Sequence, residues 1–222
     1  MKNNSLRGNS PSARALLACG IVAGPIYMII GIIQILIRPG FDVTRHALSL
    51  MSNGDLGWIQ IGNFILTGIL VIAFALGIRK ALAGGKGGTW GALLIGIYGL
   101  GMIGAGIFKA DPGLGFPPGT PVDAHGISTS GLMHFVCGGI GFYAVIAACF
   151  VFARRFSSQG LSSWKWFSIA TGLIFFAAFF GIASGSGGSE QTRAFVTVAF
   201  YIAVVLIWLW MSAIANKFRG EA

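Results

Sequence analysis

The chain has 222 residues, of which 55% are hydrophobic and 9% charged, and its mean hydropathy is +0.80. A soluble domain carries roughly 25% charged residues, so a water-facing globule is excluded and a polytopic membrane protein is expected. The net charge of +9 would suggest nucleic acid in a soluble chain. Between apolar segments it marks cytoplasmic loops instead, and no nucleic-acid partner is expected.

Six apolar segments follow, each long enough to cross roughly 30 Å of hydrocarbon. The first, residues 15–37, comes after Lys2, Arg7 and Arg14. It outruns the roughly 7–15 residues of a signal-peptide core and reads as a retained helix. Pro25 within it is tolerable where a neighbouring helix satisfies the freed carbonyl, and Gly20 and Gly24 form a small-residue pair suited to close helix approach. Pro39 and Gly40 then stop the helix. Asp42 is placed to cap a short interfacial helix, with Val43, Ala47, Leu50 and Met51 on one face.

The second crossing spans 58–78, with Asn63 and Thr67 one turn apart, and a basic, glycine-rich connection follows it. The third, 90–108, is dense in glycine, which fits tight helix packing and leaves self-association through such faces open. A long Pro/Gly-rich loop over 109–130 comes next, stiffened by Pro112, Pro117, Pro118 and Pro121. The remaining crossings are 131–153, 164–183 and 194–215, the fifth carrying Ala177, Gly181 and Gly185 at small-residue spacing. The expected organisation is therefore all-α: a tail over 1–14, one six-transmembrane-helix bundle over 15–215, and a tail over 216–222. Cys19, Cys137 and Cys149 all fall in apolar segments without CxxC spacing and read as packing residues.

Assigning alternate loops to opposite sides puts eleven of the fifteen basic residues on the side of the termini. The other side holds only Arg38, Arg45, Lys109 and Arg193. By the positive-inside rule both termini are cytoplasmic. Trp90, Trp164, Trp166, Trp208 and Trp210 are expected in the inner aromatic belt, and Trp58 in the outer one. All three histidines and five of the six acids fall outside, so chemistry is expected on the outer face.

Several side chains there suit a polar pocket: Asp111 after the third crossing, Ser130 and His134 at the start of the fourth, Asn63 in the second, and Glu190 and Arg193 opening the sixth. Ionisable groups at the membrane edge tend to face a bundle interior or wet cavity; the alternative is that Asp111 pairs with Lys109 or Arg193 and His134 is a satisfied interface histidine. Glu190 also suits a helix N-terminus through the dipole. Arg45 and His46 read as lipid-headgroup contacts or as part of an ordinary interfacial helix. A sharper version gathers His46, His125 and His134 with Asp111 or Asp123 around zinc, whose catalytic sites take three protein ligands and a water. No HxxxH or HExxH spacing supports it.

Arg45-His46-Ala47-Leu48-Ser49 before the second helix, Asn63-Phe64 and Gly68 within it, and Gly106 through Pro112 together resemble a prokaryotic six-helix membrane family catalogued as a domain of unknown function (type 998). His134 opening the fourth helix, and Gln191 with Arg193 opening the sixth, fit the same pattern. The resemblance implies six helices and a prokaryotic plasma-membrane location, and it supplies no reaction. Ser130-x3-His134 with Asp111 is also distantly similar to membrane hydrolases of the alkaline ceramidase and adiponectin-receptor type. The paired zinc histidines of those proteins have no counterpart on the sixth helix here. The function expected first is binding of a lipid-like or small amphipathic molecule near the outer leaflet, among membrane lipids. A metal-dependent hydrolase of a lipid-like substrate and a small transporter are the alternatives.

Overall fold

A computed structural model of the chain describes residues 11–123, 126–185 and 188–222. Six α-helices account for most of them: α1 (Pro11–Ile37), α2 (Gly57–Ala81), α3 (Trp90–Ile107), α4 (Thr129–Ser158), α5 (Ser162–Gly185) and α6 (Glu190–Glu221). All six are long and apolar enough to cross a membrane. All but α3 run past at least one expected end, by up to several residues, because interfacial turns remain helical after hydrophobicity stops. Among the described residues there is no strand, only an isolated bridge between Gly113 and Phe116.

Each helix packs on its sequence neighbours, and α6 closes the circle onto α1. The short connections after α2, α4 and α5 force antiparallel neighbours, and the bundle is a ring with a termini end and a loop end. Glycine sets the close approaches. A Cβ added at Gly68 would stand 2.7 Å from the Gly99 carbonyl oxygen, and one at Gly99 would stand 2.8 Å from that of Gly68, which locks α2 against α3. On the next side, a Cβ at Gly101 would lie 2.6 Å from the Cys137 carbonyl oxygen of α4.

The GIVAG pair of α1 divides between two partners: Gly20 faces the Phe74 ring of α2, and Gly24 faces Trp208 of α6. The similar spacing in α5 does no such work, since Ala177 is exposed and a Cβ at Gly181 would rest an ordinary 3.7 Å from Val196. Pro25 leaves α1 unbroken. Lacking an N–H, it frees the carbonyl of Ile21 four residues back, and the Ser212 hydroxyl of α6 donates to that oxygen at 3.1 Å.

The termini end is filled solid. Phe152, Phe156, Trp210 and Phe218 are fully buried there, with Phe152 and Phe218 ring centroids 5.3 Å apart. Trp210 donates through Nε1 to Ser168 Oγ at 3.0 Å. Glu221 closes this end by pairing with Lys217 at 3.0 Å and Arg155 at 3.5 Å. Trp208 and Trp210 therefore belong to the core rather than to an aromatic belt, since their helix face turns into the ring; Trp58, Trp90 and Trp166 are the exposed ones.

The helix expected from Asp42 onward is shorter than its pattern suggested. Residues 43–45 form a turn, and only Leu48–Ser52 is helical, as a 3-10 segment. Asp42 serves a local turn instead of a cap: its Oδ1 accepts from the Thr44 amide at 2.8 Å and the Thr44 hydroxyl at 2.7 Å. These bonds hold the Asp42 carboxyl below the usual carboxylate range. Met51 and Leu48 point into the bundle and Val43 points out, so one apolar face does not form.

Candidate binding cavity at the loop end

The loop end is hollow. A cavity of about 620 Å³ lies inside the ring, reached by residues of all six helices. That volume falls within the roughly 300–1,000 Å³ of typical ligand pockets. Its walls are chiefly aromatic: Phe142 of α4 stands 5.2 Å from Phe175, 5.1 Å from Phe179 and 5.8 Å from Phe200. Its inner end is Trp208, packed on Tyr27 at 5.3 Å and Tyr98 at 5.8 Å. Gly138 and Gly139 widen the α4 side, where an added Cβ would have no heavy atom within 4 Å.

Two connecting stretches, residues 38–56 and the described residues between 108 and 128, cover this end and are knitted together. Asn53 Nδ2 donates to the Ala110 carbonyl at 2.9 Å. Arg38 donates through Nη1 to the Met51 carbonyl at 3.1 Å and through Nη2 to that of Asn53, while its guanidinium lies 5.2 Å over the Phe116 ring. Burial draws the Arg38 pKa below its ordinary value, and the charge of Asp55 acts in the opposite sense.

His46 is the central staple. Its Nδ1 accepts from the Asp42 amide at 2.9 Å, so Nε2 carries the proton and donates to the Leu114 carbonyl at 2.9 Å. Leu114 is held at φ 56°, a left-handed conformation that costs a non-glycine residue about 1–2 kcal/mol. The His46 contact helps to hold that carbonyl in place. His46 is thus buried with both nitrogens committed, which leaves nothing to offer a headgroup or a metal.

Of the expected pocket residues, Asp111, His134 and Arg193 line the cavity, and so does Arg45. His134 places Nδ1 3.0 Å from the Ala105 carbonyl and 2.9 Å from that of Phe108. Both contacts are acceptors, so Nδ1 carries a proton and Nε2 is the ring atom left for other partners. Asp111 is spoken for: Oδ2 accepts from the Ser128 amide at 2.8 Å and Oδ1 from the Ser128 hydroxyl at 2.5 Å. It thereby braces the cap of α4, where Ser128 Oγ accepts from the Gly131 amide at 3.0 Å. This is why residue 131 is glycine: a Cβ there would occupy the space of the Asp111 carboxylate.

Three expected residues lie elsewhere. Ser130 donates its hydroxyl to the Lys109 carbonyl at 3.0 Å, away from His134. Asn63 is buried between α1 and α2 and donates to the Tyr27 carbonyl at 3.1 Å, and beside it Gln34 Nε2 donates a hydrogen bond to Gln60 Oε1 at 2.7 Å. Buried amides here pair across helices rather than facing a void. Glu190 sits exposed in the first turn of α6, where the helix dipole favours a negative charge.

The zinc expectation finds no ligand set among the described residues, where no three potential ligands cluster. His46 has no nitrogen to spare, and both Asp111 oxygens are engaged; His125 lies outside the described residues. Sequence reasoning missed the aromatic wall and the contribution of α5. The adjacent glycines at 138 and 139, followed by Phe142 one turn on, are the signal that pointed to it.

Six apolar helices closed around an interior cavity define a multi-pass integral membrane protein. More particularly, residues 21–217 match the family described as "Protein of unknown function (DUF998)", and the chain belongs to that family. No curated protein and no solved structure matches it.

Proposed function

We propose that this protein binds a lipid-like, single-chain amphipathic molecule in the cavity at its loop end. The observation that carries the reading is a segregated lining: aromatic and aliphatic side chains form the long inner wall, and Arg45, His134, Arg193 and Tyr201 gather toward the covering loops. Such a lining suits an apolar tail below and a polar head above. The cavity volume of about 620 Å³ is in the range that takes up a small organic ligand. The distribution of basic residues supports an orientation with both termini cytoplasmic, so that the cavity opens toward the outer leaflet of a prokaryotic plasma membrane. Neither the hydrolase nor the transporter reading has a comparable observation in its favour.

The test uses tryptophan fluorescence of the purified protein in a neutral detergent. A brominated single-chain amphiphile should quench Trp208 saturably. Leucine at both Gly138 and Gly139 fills the void without displacing a neighbour, and should abolish the saturable component while leaving the helical circular dichroism unchanged. Quenching that rises without limit, and equally in both proteins, would defeat the reading.

A further inference from the structure

The polar end of the cavity is electrically lopsided. Two guanidinium side chains, Arg45 and Arg193, line it. The one acid that also lines it, Asp111, turns both oxygens to Ser128. Arg193 approaches the Gly188 carbonyl at 3.5 Å. Arg45 is in a different position: its Nε is buried and has no hydrogen-bond partner, and although its charge acts on the Asp42 carboxylate, neither ion pair among the described residues involves it. A buried donor on a charged group gives up water without receiving an acceptor, and such a group is normally satisfied by something. The guanidinium fork matches the two oxygens of a carboxylate or the face of a phosphate. A cationic head would instead meet the like charge of Arg45 in a site of low dielectric.

We propose that the ligand of this cavity is an anionic single-chain amphiphile, its carboxylate or phosphate held by Arg45, its chain running along the aromatic wall toward Trp208. The assignment rests on the binding reading above and adds the charge of the head. His134, whose Nδ1 is held by two backbone carbonyls, turns Nε2 to the remaining partners and suits a hydroxyl or protonated oxygen of the same head.

Four probes with the same tetradecyl chain length separate the possibilities: myristate, tetradecyl phosphate, monomyristoyl glycerol and tetradecyltrimethylammonium. Each is titrated by calorimetry into the full-length protein in neutral detergent. At least one anion should bind about tenfold or more tightly than the neutral and cationic probes, and whichever anion leads identifies the head. Arg45→Gln should erase that advantage and leave binding of the neutral probe unchanged. Equal binding of all four, or an Arg45→Gln variant that weakens them all alike, overturns the charge assignment while the binding reading stands. Binding of none overturns both.

Discussion

Replacing Asp111 with alanine should damage the start of α4 before it disturbs any ligand. The carboxylate holds the amide and the hydroxyl of Ser128 at 2.8 and 2.5 Å, and that hydroxyl caps the Gly131 amide at 3.0 Å. A hydrogen bond to a charged group contributes about 1.5–3 kcal/mol when shielded, and the solvent at this exposed site argues for less. A helix cap contributes about 1 kcal/mol. Asp111→Ala should therefore cost about 2 kcal/mol, and Ser128→Ala about 1.5 kcal/mol, on these scales. The Asp111–hydroxyl bond is lost in either single variant, so the double variant should fall short of the sum by about 1 kcal/mol. Reversible unfolding in mixed micelles with increasing SDS, followed by far-ultraviolet circular dichroism, measures all three. Additivity within about 0.5 kcal/mol would refute the shared bond. Unchanged stability of Asp111→Ala together with lost ligand binding would return Asp111 to the ligand-anchor role that its position in the sequence suggested.

Two further outcomes follow from the packing. Gly68→Ala, whose new methyl would press on the α3 backbone, should destabilise by about 1–3 kcal/mol, whereas Gly62→Ala, with no heavy atom within 4 Å, should be neutral or stabilising; the same SDS titration checks both, and equal effects would contradict the α2–α3 contact. His46→Ala strips partners from the Asp42 amide and the Leu114 carbonyl, so hydrogen exchange over residues 110–116 should accelerate while that of the termini end stays the same. Unaltered exchange in the loop would show that His46 does not pin it.

Much of the architecture was legible in the sequence because membrane crossing is a one-dimensional property. Twenty consecutive apolar residues cross hydrocarbon whatever their partners, since a helix satisfies its own backbone. Hence the six helices, their order and the covering loop could be read directly. Residues adjacent in sequence to the loop, Asp111 and His134, could likewise be assigned to its neighbourhood. What each one does there could not, because a side chain's role depends on which donor or acceptor reaches it first. Asp111 found Ser128, Asn63 found the Tyr27 carbonyl, and His46 turned inward to Leu114 rather than outward to lipid.

The amino-acid sequence alone determined that the chain spans a membrane, how many times, and which end gathers its titratable groups, because composition and hydrophobic length act locally. Only the tertiary structure decided that the helices close into a ring whose termini half is packed solid and whose loop half is hollow. That difference arises from side chains distant in sequence: Phe152, Trp210 and Phe218 meet and fill one half, while the paired glycines of α4 leave space in the other.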